Sequence, residues 1–545
     1  MEKKKLVIYS IVALVTLALL VVGATYAYFQ NQYGSASNAD VSVTTYTTDM
    51  LTFETGDAIN ISADQETFAQ GKGNRIGSTF ARATLQANNK TNTATANYNV
   101  YLNIENNTFT YTKSGTPELI LQVVDKTSGN PVTSITGLVY KTVTDGKNTS
   151  ISGFDITNKK GLITILNNKE ISASPKTIEE YTVTITLVNH GFDQNNNTGK
   201  NLNGKLLIQK EKMITSVSAV AKNGDALATA LETLGIKGDS SLTGLYHHDA
   251  NLTNGAGDNS YRFAGADPNN YVCFGSDEAT CPHENLYRII GLIDGKIKLI
   301  SADGAATTML GTDEGYAKTY QAAFGRLSSY YKGNGDLAKI GSYKWNKTGT
   351  NTWSASTTNT TNLNKNFLAY LDGKNAKWKT MIADTTWYVG GMHSTNGYKS
   401  NAKTAYTYEV GANKDATTVT SKIGMMYLSE YYYGASKDYW TLPGYDQNGS
   451  WNRDYNGWLG NDYSKAYNNN WMSTGLNEWT ISRYSDASDF AFGIAYDGGV
   501  GYVNVDFDLG RAVRPSFNLT SSVKYESGDG TAVNPIRIQL WLEPH

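Results

Sequence analysis

Cysteine, proline, histidine and charge are all scarce in this chain. Its 545 residues include 2 cysteines, 9 prolines and 6 histidines, and only 18% are charged. Lys+Arg 47 against Asp+Glu 49 leaves a formal charge of −2. That balance excludes a basic nucleic-acid binder working through phosphate electrostatics, and it excludes an acidic tail protein. Two cysteines are too few for a disulfide-framed scaffold. The His-Glu-x-x-His pattern of zinc proteases is absent, and residues 282–545 contain no cysteine. Tryptophan is missing from more than half the chain, since none of the ten precedes Trp345. A chain of uniform architecture would not divide in this way. The length suffices for two to four domains, so at least two modules of different character are expected.

What is present begins with an export signal. Lys3, Lys4 and Lys5 precede an apolar run over residues 6–24, and small residues follow at Gly23, Ala24 and Ala27. This is the pattern of a secretory signal, with Ala24 and Ala27 in the signal-peptidase region. The rival reading is a retained anchor, long enough to span a bilayer, with Tyr26, Tyr28 and Phe29 at the interface. Either way the remainder is expected outside the cytoplasm, touching the membrane only through residues 1–30. Cys273 and Cys281, eight positions apart, are then expected to form a disulfide. The alternative, a metal site completed by His283, falls short of four ligands, and no metal is expected.

Residues 31–212 read as all-β. Tyr98, Val100, Leu102 and Ile104 alternate with Asn97, Asn99, Tyr101, Asn103 and Glu105, and Val183, Ile185 and Leu187 alternate with threonines. Period two predicts one buried and one wet face, and two packed sheets would bury such faces as a β-sandwich. Ala24-Thr-Tyr-Ala-Tyr-Phe29 followed by this module resembles the camelysin/TasA group of secreted Gram-positive surface and biofilm-fibre proteins. The resemblance implies a surface location and, in a fibre, self-assembly through sheet edges. The protease activity described for some relatives has no support here, since His190 is the module's only histidine.

Residues 213–244 read as a helical junction: Asp225 caps a short helix with Leu227, Leu231 and Leu234 on one face, and Gly235 ends it. Residues 245–545 read as mixed α and β. Residues 287–301 form a hairpin turning at Asp294-Gly295, and residues 490–505 form another turning at Asp497-Gly498-Gly499. A short strand is expected at Trp479-Thr-Ile-Ser-Arg483 and helices at 363–371 and 423–433, and residues 511–519 close the series. The ordered set Tyr287-Arg-Ile-Ile-Gly291, Trp479-Thr-Ile-Ser-Arg483, Gly498-Gly-Val500 and Val513-Arg-Pro-Ser-Phe-Asn-Leu519 resembles the C-type-lectin-like domains related to the formylglycine-generating enzyme. The resemblance implies an α+β lectin-like domain on a bacterial surface, an architectural role for Arg514 and Pro515, and a ligand face in the hydroxyl- and amide-rich stretch before them.

Catalysis is not expected, and no cofactor is. Formylglycine formation in relatives needs a cysteine pair near the domain's end, where this chain has none. The Glu-Pro-Asn loop of calcium-dependent sugar lectins is only loosely echoed by Asp267-Pro268-Asn269, too early in the module. Asp446, Asn448 and Ser450 alternate as in a calcium loop, but Trp451 stands where that loop needs glycine, so a polar turn is the favoured reading. What remains is recognition. Tyr445, Asp446, Asn448, Trp451, Tyr455, Trp458, Tyr463 and Trp471 belong to a stretch rich in aromatics, Asn, Gly and Ser, the composition of adaptable binding loops. The expectation is an adhesin-like surface protein binding a glycan or a surface protein. A fibre or coat subunit is the alternative, and the lectin resemblance adds a variable receptor diversified by a retroelement. Taken singly, each of Trp451, Trp458 and Trp471 is expected to pack under long loops, while at least one of them is expected to lie exposed in the site.

Overall fold

The computed structural model describes residues 49–69, 71–88, 93–442 and 467–540. Strand (37%) is twice as abundant as helix (18%), so sheets carry the cores. The chain divides into two compact units between Met213 and Ile214. No helix among the described residues is long and apolar enough to cross a membrane.

The first unit contains β1 (Met50–Thr55), β2 (Ile59–Ser62), β3 (Arg75–Gln86), β4 (Ala94–Asn107), β5 (Leu119–Asp125), β6 (Tyr140–Thr144), β7 (Ser150–Asp155), β8 (Gly161–Ala173), β9 (Lys176–Leu187) and β10 (Asn201–Gln209). They form a six-stranded sheet, β1-β3-β9-β5-β7-β6, and a four-stranded sheet, β2-β10-β4-β8. Every pairing is antiparallel. One core draws on the inner faces of both sheets in a sandwich-like arrangement. Val183, Ile185 and Leu187 of β9 and Val100, Leu102 and Ile104 of β4 are buried there, each contributing about 1.5–3 kcal/mol by leaving water.

The outer face of β4 departs from the alternation reading. Asn99, Tyr101 and Asn103 are buried, not wet. The chain leaving β10 lies along them: Asn99 Nδ2 donates to the Lys210 carbonyl at 3.1 Å, and the Met213 amide donates to the Tyr101 hydroxyl at 3.0 Å. Side chains suited to a wet face serve as backbone partners for a covering segment.

The second unit holds two larger sheets. In the first, β11 (Leu245–His247), β12 (Tyr261–Phe263), β14 (Leu286–Ile293), β15 (Lys296–Ser301), β25 (Ser516–Asn518) and β20 (Ile423–Gly424) follow in order, with β13 (Tyr271–Cys273) pairing β14. The second runs β16 (Tyr316–Thr319), β17 (Gly341–Tyr343), β24 (Arg511–Ala512), β21 (Glu478–Arg483), β22 (Phe490–Ile494) and β23 (Val500–Asn504). Two-stranded ribbons pair β18 (Thr385–Tyr388) with β19 (Thr418–Ser421), and β26 (Val523–Ser527) with β27 (Arg537–Leu540). The β14–β15 turn has Asp294 at φ 49° and Gly295 at φ 70°, the positive dihedrals a two-residue hairpin requires. Pro515, which cannot donate to a ladder, marks where the chain leaves β24 in one sheet and enters β25 in the other.

Helical expectations needed correction. The helix Leu227–Lys237 buries Leu227, Leu231 and Leu234 as expected, but it runs through Gly235 and packs on β11, β12 and β26. Residues 214–244 fall within the second compact unit. Gly235 serves close packing, since a Cβ there would lie 2.2 Å from the Tyr261 ring. The 363–371 expectation falls in a π-helix, Thr358–Phe367, continued by the α-helix Leu368–Lys374. Of 423–433, Ile423–Gly424 is strand and only Leu428–Gly434 is helix.

Candidate functional site

The segment expected to direct export, with Ala24 and Ala27, lies outside the described residues. So do Tyr445, Asp446, Asn448, Trp451, Tyr455, Trp458 and Tyr463. Cys273 and Cys281 form the expected disulfide, S–S 2.01 Å, and His283 sits instead 3.8 Å from Asp303. Trp471 is a correction. It is buried, its Nε1 donates to the Phe263 carbonyl at 2.8 Å, its amide donates to Gly265, and the Arg288 guanidinium lies 4.8 Å over its ring. It is a core residue, not a ligand contact. The same holds for Trp345, Trp353, Trp378, Trp387, Trp440 and Trp479, all buried. Five of the seven indole N–H groups, including that of Trp471, find backbone carbonyls, which is how a long irregular chain is tied over a core.

Toward the end of the aromatic stretch, Tyr467 meets a shelf that composition did not reveal. Its hydroxyl donates to the Tyr330 carbonyl at 3.1 Å, and Lys332 Nζ lies 3.3 Å from its ring centroid while donating to its carbonyl at 3.0 Å. Tyr330, 43% exposed, packs edge-on against Tyr496 at 4.7 Å. Tyr496 and Asp497 stand at the β22–β23 turn, whose Gly498 (φ +82°) lets Tyr467 approach: a Cβ there would lie 2.4 Å from the Tyr467 ring. The segment carrying Tyr330 is held from below. The Lys332 amide donates to Thr474, Gly335 donates to Asp303 at 3.1 Å, and the Tyr331 hydroxyl donates to the same carboxylate. Lys332 keeps an exposed edge, yet its ammonium rests on an aromatic ring, and lost hydration pushes its pKa down to about 8.

The shelf thus combines three tyrosines, one ammonium and the Asp497 carboxylate. This set can stack on and hydrogen-bond a ligand, and it contains no nucleophile with a base beside it. Among the described residues, no three His, Cys, Asp or Glu side chains converge as metal ligands. A separate shallow cleft of about 430 Å³ is lined by Gly311, Asp313, Asn366 and Tyr370 among others. Its amide is already engaged, since Asn366 donates to the Leu310 carbonyl and to Asp313.

The second unit also holds two buried ion pairs. Arg514 Nε donates to Glu478 at 2.6 Å and Nη2 donates to the Met472 carbonyl at 2.7 Å, while the Thr474 hydroxyl donates to the other Glu478 oxygen. Lys298 Nζ donates to Glu430 at 2.7 Å between the rings of Trp387 and Tyr427. These groups support the fold and do not face a ligand.

Compared with known proteins, the chain matches no family model, no curated sequence and no solved structure.

Proposed function

We propose that this chain is an exported, adhesin-like protein of a bacterial cell surface. In this reading the first unit is a β-sandwich of the camelysin/TasA kind, and the second is a C-type-lectin-like domain binding a glycan or a protein ligand. The observation that carries the reading is the Tyr330–Tyr467–Tyr496 shelf with Lys332, lying where the aromatic, amide-rich stretch ends. Tyrosine offers large contact area at small entropic cost, and one ammonium supplies orientation. The disulfide is consistent with an oxidising compartment. The test is a glycan and surface-protein array probed with the exported chain, with Tyr330→Ala and Lys332→Met alongside. The reading expects a ligand lost in both variants while the unfolding midpoint holds. A hit profile indifferent to both substitutions would overturn it.

A fibre subunit is the second reading, favoured by one feature of the first unit. Val139 (62% exposed) and Tyr140 (38% exposed) lie at β6, an edge strand with an open ladder. Concentration-dependent filaments from purified protein, with no array hit, would select it.

A further inference from the structure

The base of the β22–β23 hairpin, opposite its turn, carries a second aromatic surface. Tyr484 and Tyr502 stack at 4.5 Å with 21° between their planes, and Phe490 meets Tyr502 edge-on at 5.2 Å. All three are half-buried, so the stack keeps exposed area. Its floor is rigid: Phe492 and Tyr398, both buried, pack beneath it at 5.6 Å from Tyr484 and Tyr502 respectively.

Polar groups gather at one edge of this stack. Asp486 accepts from the Ser394 amide at 3.0 Å and from His393 Nδ1, and it also hydrogen-bonds the Tyr484 hydroxyl. With Nδ1 engaged, His393 turns Nε2 outward, and its side chain is 69% exposed. The loop holding these groups is not free to drift. The Met392 amide donates to Arg483, the Ser485 amide donates to Met392, and Gly391 (φ +78°) lies so close that a Cβ would be 2.2 Å from the Arg483 carbonyl. Two preorganised acceptors, His393 Nε2 and the Asp486 carboxylate, therefore flank an aromatic face.

We propose that this surface binds one pyranose residue of a neutral polysaccharide. A pyranose has an apolar face of polarised C–H bonds that complements the negative face of an aromatic ring. Its rim of vicinal hydroxyls can donate to a carboxylate and to an imidazole nitrogen side by side. The Asp486 charge disfavours an anionic sugar. The site stands on residues distinct from the Tyr330–Lys332 shelf, separated from it by the length of β22, roughly 15 Å. It does not depend on what that shelf binds.

The test is isothermal titration of the full exported chain with cello-, chito- and manno-tetraose, and with a galacturonate tetramer as the anionic probe. At least one neutral tetramer is expected to bind, and the anionic one is not. His393→Ala and Asp486→Ala should each weaken binding about tenfold, equivalent to about 1.4 kcal/mol. Tyr502→Leu keeps an apolar side chain and guards against simple misfolding. It should abolish the upfield shift of sugar ring protons seen by NMR while the unfolding midpoint stays cooperative. Binding of no neutral tetramer, preference for the galacturonate, capture of a peptide in place of sugar, or indifference to all three substitutions would each overturn the proposal.

Discussion

Arg514 and Glu478 form an ion pair with both side chains almost fully excluded from water, at 2% and 1% exposure. The pair joins the start of β21 to the residues between β24 and β25, and so couples the two sheets of the second unit. A buried pair of this kind contributes little over an apolar substitute, but breaking it strands a charge. Arg514→Met is therefore expected to cost about 3–5 kcal/mol, and the double variant with Glu478→Met to recover part of that loss. Denaturant unfolding of both proteins checks this. Equal stability of the single and double variants would show that the pair is not coupled.

His248 makes stability depend on pH. It is fully buried between Tyr433 and Trp440, and its Nδ1 accepts from the Ala256 amide at 3.0 Å. Burial, reinforced by the nearby Arg262 charge, holds its pKa well below the ordinary 6.5. The folded state keeps the ring neutral while the unfolded chain takes a proton near pH 6.5. Stability is therefore full above that value and falls as pH drops below it. Thermal midpoints between pH 7 and 5 should decline, and His248→Asn, whose amide oxygen can replace Nδ1, should flatten the slope. Parallel slopes would refute this.

Removing the disulfide by Cys273→Ser with Cys281→Ser should cost about 2–3 kcal/mol for so short a loop on the chain-entropy model. The loss should be felt at the end of the described chain. Arg537 of β27 donates to Ala279 at 2.9 Å and to Ser276 at 3.4 Å inside that loop. Hydrogen exchange in Arg537–Leu540 should accelerate in the double variant, and unchanged exchange would show that the loop holds its shape without the bond.

Gly498→Ala tests the shelf without touching its polar groups. The left-handed dihedral alone costs a non-glycine residue about 1–2 kcal/mol, and the new methyl would press on the Tyr467 ring. Ligand affinity should fall more than stability does. If an array hit survives undiminished, Tyr467 is not part of the binding face.

The sequence announced those features that depend on neighbours along the chain. Asp294-Gly295 implied its hairpin through backbone dihedrals, and the alternation in β9 implied its inner face, because both are local physics. The outer face of β4 was misread because what covers it is the chain after β10, which no alternation in β4 encodes. Trp471 is buried for a related reason. An indole beside Asn and Gly suits a binding loop, yet it suits equally a core whose covering chain offers carbonyls. Tyr330, Lys332, Tyr467 and Tyr496 come from three distant segments, and no spacing joins them. The buried Arg514 partner, Glu478, was equally invisible, since a carboxylate beside Trp479 carries no mark of burial.

The switch of residues 511–518 between sheets bears on how the second unit comes into being. β24 is the wedge between β17 and β21, and β25 is the wedge between β15 and β20. Until this segment arrives, each sheet is two unjoined halves with raw inner edges. Neither sheet is continuous without this one segment. Contacts of such long sequence separation fold slowly and leave apolar edges open meanwhile.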